Sequence, residues 1–312
     1  MAMTVCGKKI LAGLLGLILT CLAGVAPAQQ ARDFSKIELE TRRVSDGLYL
    51  LAGAGGNPGG IITVSAGADG VLLVDSQFAP MHQKIRDAVA KISPQPIRFL
   101  INTHLHGDHT EGNELMAKAG VLIIAHDNVR KRLMSQRSSP AANSRTPTLA
   151  QEALPAVTYS DSITFHFNGE EIYIVHPDPA HTDGDSVIHF RRANVIHVGD
   201  LPSSLRYPTF ETGNGGSVHG MIAAAERILK MAGPDTKILS SHEPPVATVK
   251  DLQEQRDMLI VVRDRVLSGI RAGKTLEQVL ASKPTAEFDG RRKVGRTPVQ
   301  FVTELYDDLS RK

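Results

Sequence analysis

The segment Asn102–Thr110 has the sequence NTHLHGDHT, which places three histidines and one aspartate within six residues. The apolar run before it predicts a strand over 96–101, and residues 111–118 predict the start of a helix. Imidazole nitrogens and a carboxylate suit Zn²⁺ or a similar cation. Gly107 allows the backbone to turn tightly between them. A lone histidine is usually a surface or core residue, but this cluster predicts a metal-binding loop at the end of a strand.

This segment, extended to NTHLHGDHTEGN, resembles the HxHxDH signature of the metallo-β-lactamase fold superfamily. The resemblance continues in AHTDGD, VIHVGD and LSSHEP, which contain His181, Asp200 and His242, and it runs from about Gly47 to Pro245. It implies an α/β fold, a four-layer αβ/βα sandwich in which two sheets pack face to face with helices outside.

The resemblance also implies two metal sites and their chemistry. The first site would use His104, His106 and His181; the second would use Asp108, His109 and His242; Asp200 would bridge them. Two divalent ions are expected, Zn²⁺ first, with Fe or Mn as alternatives at the second site. Two such ions make a shared water nucleophilic near neutral pH. The implied reaction is hydrolysis of an acyl bond in a β-lactam, lactone or thioester, with Asp108 and Asp200 as the catalytic carboxylates.

The cysteine content limits which branch of the superfamily the chain can resemble. Both cysteines, Cys6 and Cys21, lie near the N-terminus. The remaining chain therefore cannot resemble the β-lactamases whose second metal has a thiolate ligand. Asp200 instead suggests the thioesterase, lactonase and glyoxalase II-like branch. Glu111 and Glu243 stand where glycine is usual in that branch, and no match to glutathione-binding residues is found.

The N-terminal region has the pattern of a secretory signal peptide. Lys8 and Lys9 precede an apolar core at 10–19, which is too short for a membrane span, and an A-P-A cleavage signal ends at Ala28. We expect a signal peptide over 1–28, a single domain over 29–312 and a periplasmic or secreted protein. Lipoprotein processing at Cys21 is the weaker alternative.

The charge balance bears on the partners of the protein. The formal net charge is +2, and Lys8 and Lys9 are the only charges before residue 29, so the rest of the chain is neutral. Neutrality disfavours nucleic acid or an anionic membrane as partner. A small-molecule substrate is expected, with its specificity set by loops at 53–60, 137–152 and 202–217.

Apolar periodicity and turn residues predict the remaining elements. Residues 29–46 are expected to be a loose lead-in and 137–152 a flexible loop. Asn168-Gly169 predicts a hairpin turn. Strands are expected at 47–52, 61–65, 71–75, 121–124, 164–167, 171–175, 187–190 and 194–198, and helices at 81–92, 128–136 and within 248–312.

Several polar residues have two possible roles. Asp75 and Asp185 could support the metal ligands by hydrogen bonding or could cap a helix or turn. Asn57 is a weak candidate for substrate contact, and a plain hairpin loop is favoured there. Structural or surface roles are expected for the histidines outside the ligand set, namely His82, His126, His166, His176, His189, His197 and His219.

Two other functional classes stay open. One is a mono-iron oxidoreductase of the same fold that acts on sulfur compounds. The second metal site is complete in this sequence, which argues against that class. The other is a non-catalytic metal-binding or partner protein, and the intact ligand set argues against it.

Overall fold

A computed structural model describes Met1 and residues 33–54, 59–138, 149–203, 205–242, 244–292 and 295–311. The chain divides into two compact units, residues 1–33 and 34–312. The signal-peptide prediction for 1–28 lies outside the described residues, except for Met1. No helix within the described part of the chain is long and apolar enough to cross a membrane.

Two sheets form the centre of the second unit. The first sheet has the strand order β1 to β7, and the second has the order β13-β12-β11-β10-β9-β8. Strands β4 to β7 pair in parallel, as do β11 and β12. The strands are β1 Glu38–Ser45, β2 Leu48–Ala54, β3 Ile62–Gly67, β4 Gly70–Val74, β5 Ile97–Ile101, β6 Leu122–His126, β7 Val157–Tyr159, β8 Ser162–Phe167, β9 Glu170–Val175, β10 Val187–Phe190, β11 Val195–His197, β12 Lys237–Leu239 and β13 Val246–Ala247.

The helices connect these strands and follow the second sheet. Three of them, α6, α7 and α9, begin with a capping box. A threonine side chain accepts the backbone N–H of the third helical residue, and the side chain of that residue accepts the backbone N–H of the threonine. The helices are α1 His82–Ile92, α2 Gly107–Thr110, α3 Asn113–Lys118, α4 Asp127–Ser138, α5 Val218–Met231, α6 Val249–Arg271, α7 Leu276–Ala281, α8 Ala286–Asp289 and α9 Pro298–Leu309.

Alternation along the strands builds the layers. In β4, Leu72 and Val74 contribute to the core cluster that contains Ile174 and Phe190 of the second sheet. Side chains at alternate strand positions point to opposite faces, so Val71 and Leu73 pack on the other side against α1 and α3. The outer face of the second sheet packs against α5, α6, α7 and α9. The predicted four-layer sandwich is confirmed.

The hairpin turn is also confirmed, because Asn168 and Gly169 join β8 to β9 with φ angles of 56° and 71°. The prediction of a loose lead-in at 29–46 was wrong for residues 38–45, which form β1 and pair antiparallel with β2. Residues 29–32 lie outside the described residues. Most side chains of β1 are exposed, because an edge strand can be stabilised by backbone pairing without an apolar face.

Helix α4 ends at Ser138, and residues 139–148 of the predicted loop lie outside the described residues.

Candidate metal centre

The fold brings the predicted ligands to one end of the two sheets. The HxHxDH segment follows β5 in the first sheet, while Asp200 follows β11 and His242 follows β12 in the second. His181 lies on the connection between β9 and β10. Parallel neighbours such as β11 and β12 end at the same edge of a sheet, so side chains that follow them converge.

Four of the seven residues form a first group, within which the candidate ligand atoms lie within 4.8 Å of one another. His106 Nδ1 is 2.9 Å from His104 Nε2 and 3.1 Å from His181 Nε2. Asp200 Oδ2 completes the group at 3.7 Å from His181 Nε2. Three imidazole nitrogens and one carboxylate oxygen therefore face a common point.

The other three residues form a second group. Asp108 Oδ2 lies 3.5 Å from both His109 Nε2 and His242 Nε2. Asp200 contacts this group as well, because its Oδ2 is 3.0 Å from His242 Nε2 and its Oδ1 is 3.6 Å from His109 Nε2. The carboxylate of Asp200 thus lies between the two groups, as the resemblance implies.

Hydrogen bonds on the far side of each ring set the tautomers. His181 Nδ1 lies 2.7 Å from the carbonyl of Thr209, which can only accept, so this nitrogen carries the proton. His109 Nδ1 likewise contacts the carboxylate of Asp75 at 2.8 Å. When such an imidazole is neutral, its opposite nitrogen presents a lone pair to the cluster. Against the effect of burial, three nearby carboxylates raise the pKa of His109 well above its usual value, so this ring is protonated when no ion is bound. A cation is the natural occupant between several converging lone pairs.

Buried atoms at the centre support the same conclusion. His109 Nε2 and Asp200 Oδ1 are buried, and neither has a hydrogen-bond partner among the residues that the structure describes. Buried polar atoms without a partner are costly and need an explanation. A set of nitrogen and oxygen donors without thiolate fits Zn²⁺ and other divalent ions. The residues present therefore fit a pair of divalent metal ions.

Electrostatics keep the two carboxylates ionised. Burial raises the pKa of Asp108, but His109 and His242 outweigh it and lower the pKa to about 2. Burial also opposes ionisation of Asp200, and the same two histidines nevertheless hold its pKa well below the usual range. Burial, followed by the charge of His109, lowers the pKa of His104. Both carboxylates are thus available as anionic ligands at neutral pH.

Asp75 supports the HxHxDH loop and does not cap a helix. It is fully buried, has φ of 68°, and follows β4. Its carboxylate accepts the backbone N–H of Thr103 at 2.7 Å and contacts His109. Ser241 directly precedes His242, and its Oγ lies 3.4 Å from the same carboxylate. One buried aspartate therefore fixes segments from both sheets.

Asp185 has a comparable role at the His181 loop. It accepts the backbone N–H of His181 at 2.7 Å and the hydroxyl of Thr182 at 2.6 Å. Its carboxylate therefore caps the turn and also orients the backbone of His181. Asp185 thus has both of the roles considered for it, turn cap and support of a candidate ligand.

The remaining candidates lie elsewhere or outside the described residues. His197 is fully buried, as expected for a core residue. His126 and His176 stack on each other with ring centroids 3.7 Å apart, and neither belongs to the two ligand groups. Asn57 and Glu243 lie outside the described residues.

Two residues that contact the imidazoles were not predicted from the sequence. Thr209 accepts from His181, and Glu211 Oε2 lies 2.8 Å from His106 Nε2. Contact with the His106 ring is the main reason that the pKa of Glu211 falls to about 2. Neither residue lies in a recognisable motif. Both belong to the 202–217 loop, which was expected to contribute to substrate specificity.

Comparison with known proteins places the chain in a family. The model of the metallo-beta-lactamase superfamily matches residues 57–242, which is more than half of the chain. The protein belongs to the metallo-beta-lactamase superfamily, whose members are largely metal-dependent hydrolases. The resemblance inferred from the HxHxDH segment is confirmed.

Solved structures of similar fold extend the comparison. The sec-alkylsulfatase Pisa1 from Pseudomonas sp. has a TM-score of 0.65 and 19% identity, and the overlap covers 87% of this chain and 50% of that chain. A metallo-beta-lactamase from Pontibacter korlensis has a TM-score of 0.59 and 18% identity, covering 72% and 99%. At these identities the likeness concerns the fold alone. The overlap with the alkylsulfatase is long enough to include part of the helices after residue 248.

Sequence comparison also identifies a curated relative. The 2,4-dinitroanisole O-demethylase subunit alpha of Nocardioides sp. (strain JS1661) is 26% identical over 136 residues, which are 43% of this chain and 38% of that protein. The match thus covers 38% of the length of that relative, and the overlap with the alkylsulfatase covers 50% of the length of that chain.

Proposed function

We propose that the protein is a hydrolase that uses two divalent metal ions, with Zn²⁺ as the native ion, to cleave an acyl bond of a small molecule. The observation that carries this proposal is the position of Asp200 between two complete groups of ligand-type side chains. A mono-iron oxidoreductase would need only one of these groups. The complete second group therefore favours the two-metal hydrolase.

Two metal ions in this site would supply a nucleophilic water at neutral pH and a Lewis acid for the scissile carbonyl. The protein's own residues contribute charge and orientation. Asp200 is nearly buried and would hold the two positive centres close together. Asp108, whose side chain is 24% exposed, is the more accessible carboxylate and could accept a proton at the cleft.

For the substrate we propose a β-lactam, a lactone or a thioester. The neutral charge of the chain after residue 28 and the expected export signal support a small molecule met outside the cytoplasm. The fold neighbours include β-lactamases and an alkylsulfatase, and the curated relative is named for O-demethylation. Sulfate esters and aryl methyl ethers therefore belong in the same activity screen.

The test combines metal content with turnover. The protein is reconstituted with Zn²⁺, analysed for bound metal, and assayed on β-lactams, lactones, thioesters, alkyl sulfates and aryl methyl ethers. We expect about two ions per chain and hydrolysis of at least one of the three acyl classes. His106→Ala should abolish that hydrolysis, because it removes a metal ligand.

The outcomes separate the alternatives. A single tightly bound ion would contradict the two-metal site and favour the mono-iron class. Two bound ions with turnover only of sulfates or ethers would retain the metal centre and overturn the acyl substrate. Near wild-type turnover in His106→Ala would show that the ligand assignment is wrong.

A further inference from the structure

The segment that follows residue 208 contacts two of the candidate ligands, His106 and His181. The carbonyl of Thr209 accepts from His181 Nδ1 at 2.7 Å, and the backbone N–H of Glu211 donates to the carbonyl of His181 at 2.9 Å. The carboxylate of Glu211 lies 2.8 Å from His106 Nε2. This segment therefore touches both imidazoles on the side away from the converging nitrogens.

The Glu211 carboxylate is itself held in place. Asn214 Nδ2 donates to Glu211 Oε2 at 2.6 Å, and Arg132 Nη1 donates to Asn214 Oδ1 at 2.9 Å. The guanidinium of Arg132 also forms a two-point contact with Asp183 at 2.6 and 2.7 Å. Planar contacts of this kind fix geometry as well as charge. A continuous polar chain thus leads from α4 to the ring of His106.

The position of Glu211 separates two possible roles. His106 faces the first group through Nδ1 and Glu211 through Nε2, which lie on opposite sides of the ring. Glu211 therefore supports the imidazole, and it is not a member of either ligand group. A carboxylate in this position orients a metal-binding ring and increases its basicity.

We infer that Glu211 is a positioning residue for His106, held by Asn214 and Arg132, and that it sets the metal affinity of the first site. This inference rests on the proposed metal centre. Glu211 Oε2 lies 2.8 Å from His106 Nε2, close enough for the carboxylate charge to act directly on the ring. The test therefore removes this negative charge.

The test measures metal binding directly. Zn²⁺ is titrated into the metal-free full chain against a chromophoric chelator, which gives two affinity constants. Glu211→Gln removes the charge and keeps the size, and we expect one of the two constants to weaken by about 10–100-fold. Asn214→Ala should weaken the same constant by a smaller factor, and the absorption spectrum of the Co²⁺-substituted protein should change in both variants.

A matched control removes an equivalent charge elsewhere. Glu287 in α8 pairs with Arg265 at 2.8 Å, and Glu287→Gln should leave both constants unchanged. Wild-type constants and an unchanged Co²⁺ spectrum in Glu211→Gln would overturn the inference and leave the metal centre intact. An equal loss at both sites, with a lower urea midpoint for the metal-free protein, would show a merely structural role. A wild-type chain that binds no metal would overturn the proposed function together with this inference.

Discussion

At the scale of single residues, His197 is a buried side chain near the candidate metal centre whose protonation affects the stability of the fold. It is fully buried at the end of β11, and its Nδ1 accepts the backbone N–H of Gly199 at 3.2 Å. Burial is the main cause that lowers its pKa from 6.5 to about 4. The folded state therefore accepts the neutral ring and resists its protonation.

This shift predicts a loss of stability in mild acid. Between pH 6.5 and about 4 the unfolded chain takes up a proton at His197 and the folded chain does not, so the free energy of unfolding falls as the pH falls. The full shift corresponds to about 3 kcal/mol. Urea denaturation of the metal-free protein from pH 7 to pH 4 measures it. In His197→Asn, which can keep the bond to Gly199 but does not titrate, this component should be absent. A constant difference between wild type and variant over this range would contradict the prediction.

The sequence predicted some residues of the site much better than others. His104, His106, Asp108 and His109 lie in one local motif, so their convergence needs only a strand followed by a tight turn. Glu211 reaches His106 across more than 100 residues of sequence. Such a contact depends on how the loop after β11 folds back over the site, and no local pattern encodes it.

At the scale of elements, the start of α5 is packed directly on the loop that carries His181. Ser217 caps the helix by accepting from Gly220, and its own backbone N–H donates to the carbonyl of Ala180. A Cβ atom added at Gly220 would lie 1.7 Å from the carbonyl oxygen of Pro179. The glycine is thus required by a close backbone approach.

Gly220→Ala should therefore destabilise the protein, although alanine is the better helix former by about 1 kcal/mol. The helix or the 179–181 loop must move, and such overpacking costs about 1–3 kcal/mol. Urea denaturation should show a net loss, and metal affinity at the first site should fall because the loop leads to His181. The control is Gly290→Ala, where no atom of a described residue beyond the two chain neighbours lies within 4 Å of the added Cβ. An unchanged midpoint for Gly220→Ala would show that the loop yields without cost.

Elements with an apolar signature could be predicted from the sequence, and those without one could not. β4 reads as a continuous apolar run, because both of its faces are buried. β1 is polar and mostly exposed, and its partner β2 determines its conformation. Backbone pairing of this kind is invisible to hydrophobic periodicity, which explains the error at 38–45.

At the scale of the whole molecule, the candidate metal centre lies between the two sheets. Each group contains residues from both: the HxHxDH segment follows the first sheet, whereas Asp200 and His242 follow strands of the second. The segments that flank the two sheets are also joined by a hydrogen bond from the backbone N–H of Ile61, just before β3, to the carbonyl of Ser241, after β12, at 2.6 Å. Metal ions bound here would cross-link the two halves of the sandwich.

Metal binding should therefore stabilise the whole second unit and not only the loops. A site that is filled at a free metal concentration of 100 Kd adds about 2.7 kcal/mol, which corresponds to a rise in Tm of about 5–10 °C per site. Scanning calorimetry with Zn²⁺ and with excess chelator measures this difference. Asp200→Asn keeps the size of the side chain and removes the charge between the two groups, so it should lose one ion and a large part of the metal-induced rise in Tm. A Tm that is the same with and without Zn²⁺, while both ions are bound, would mean that the ions order only a local loop and do not link the sheets.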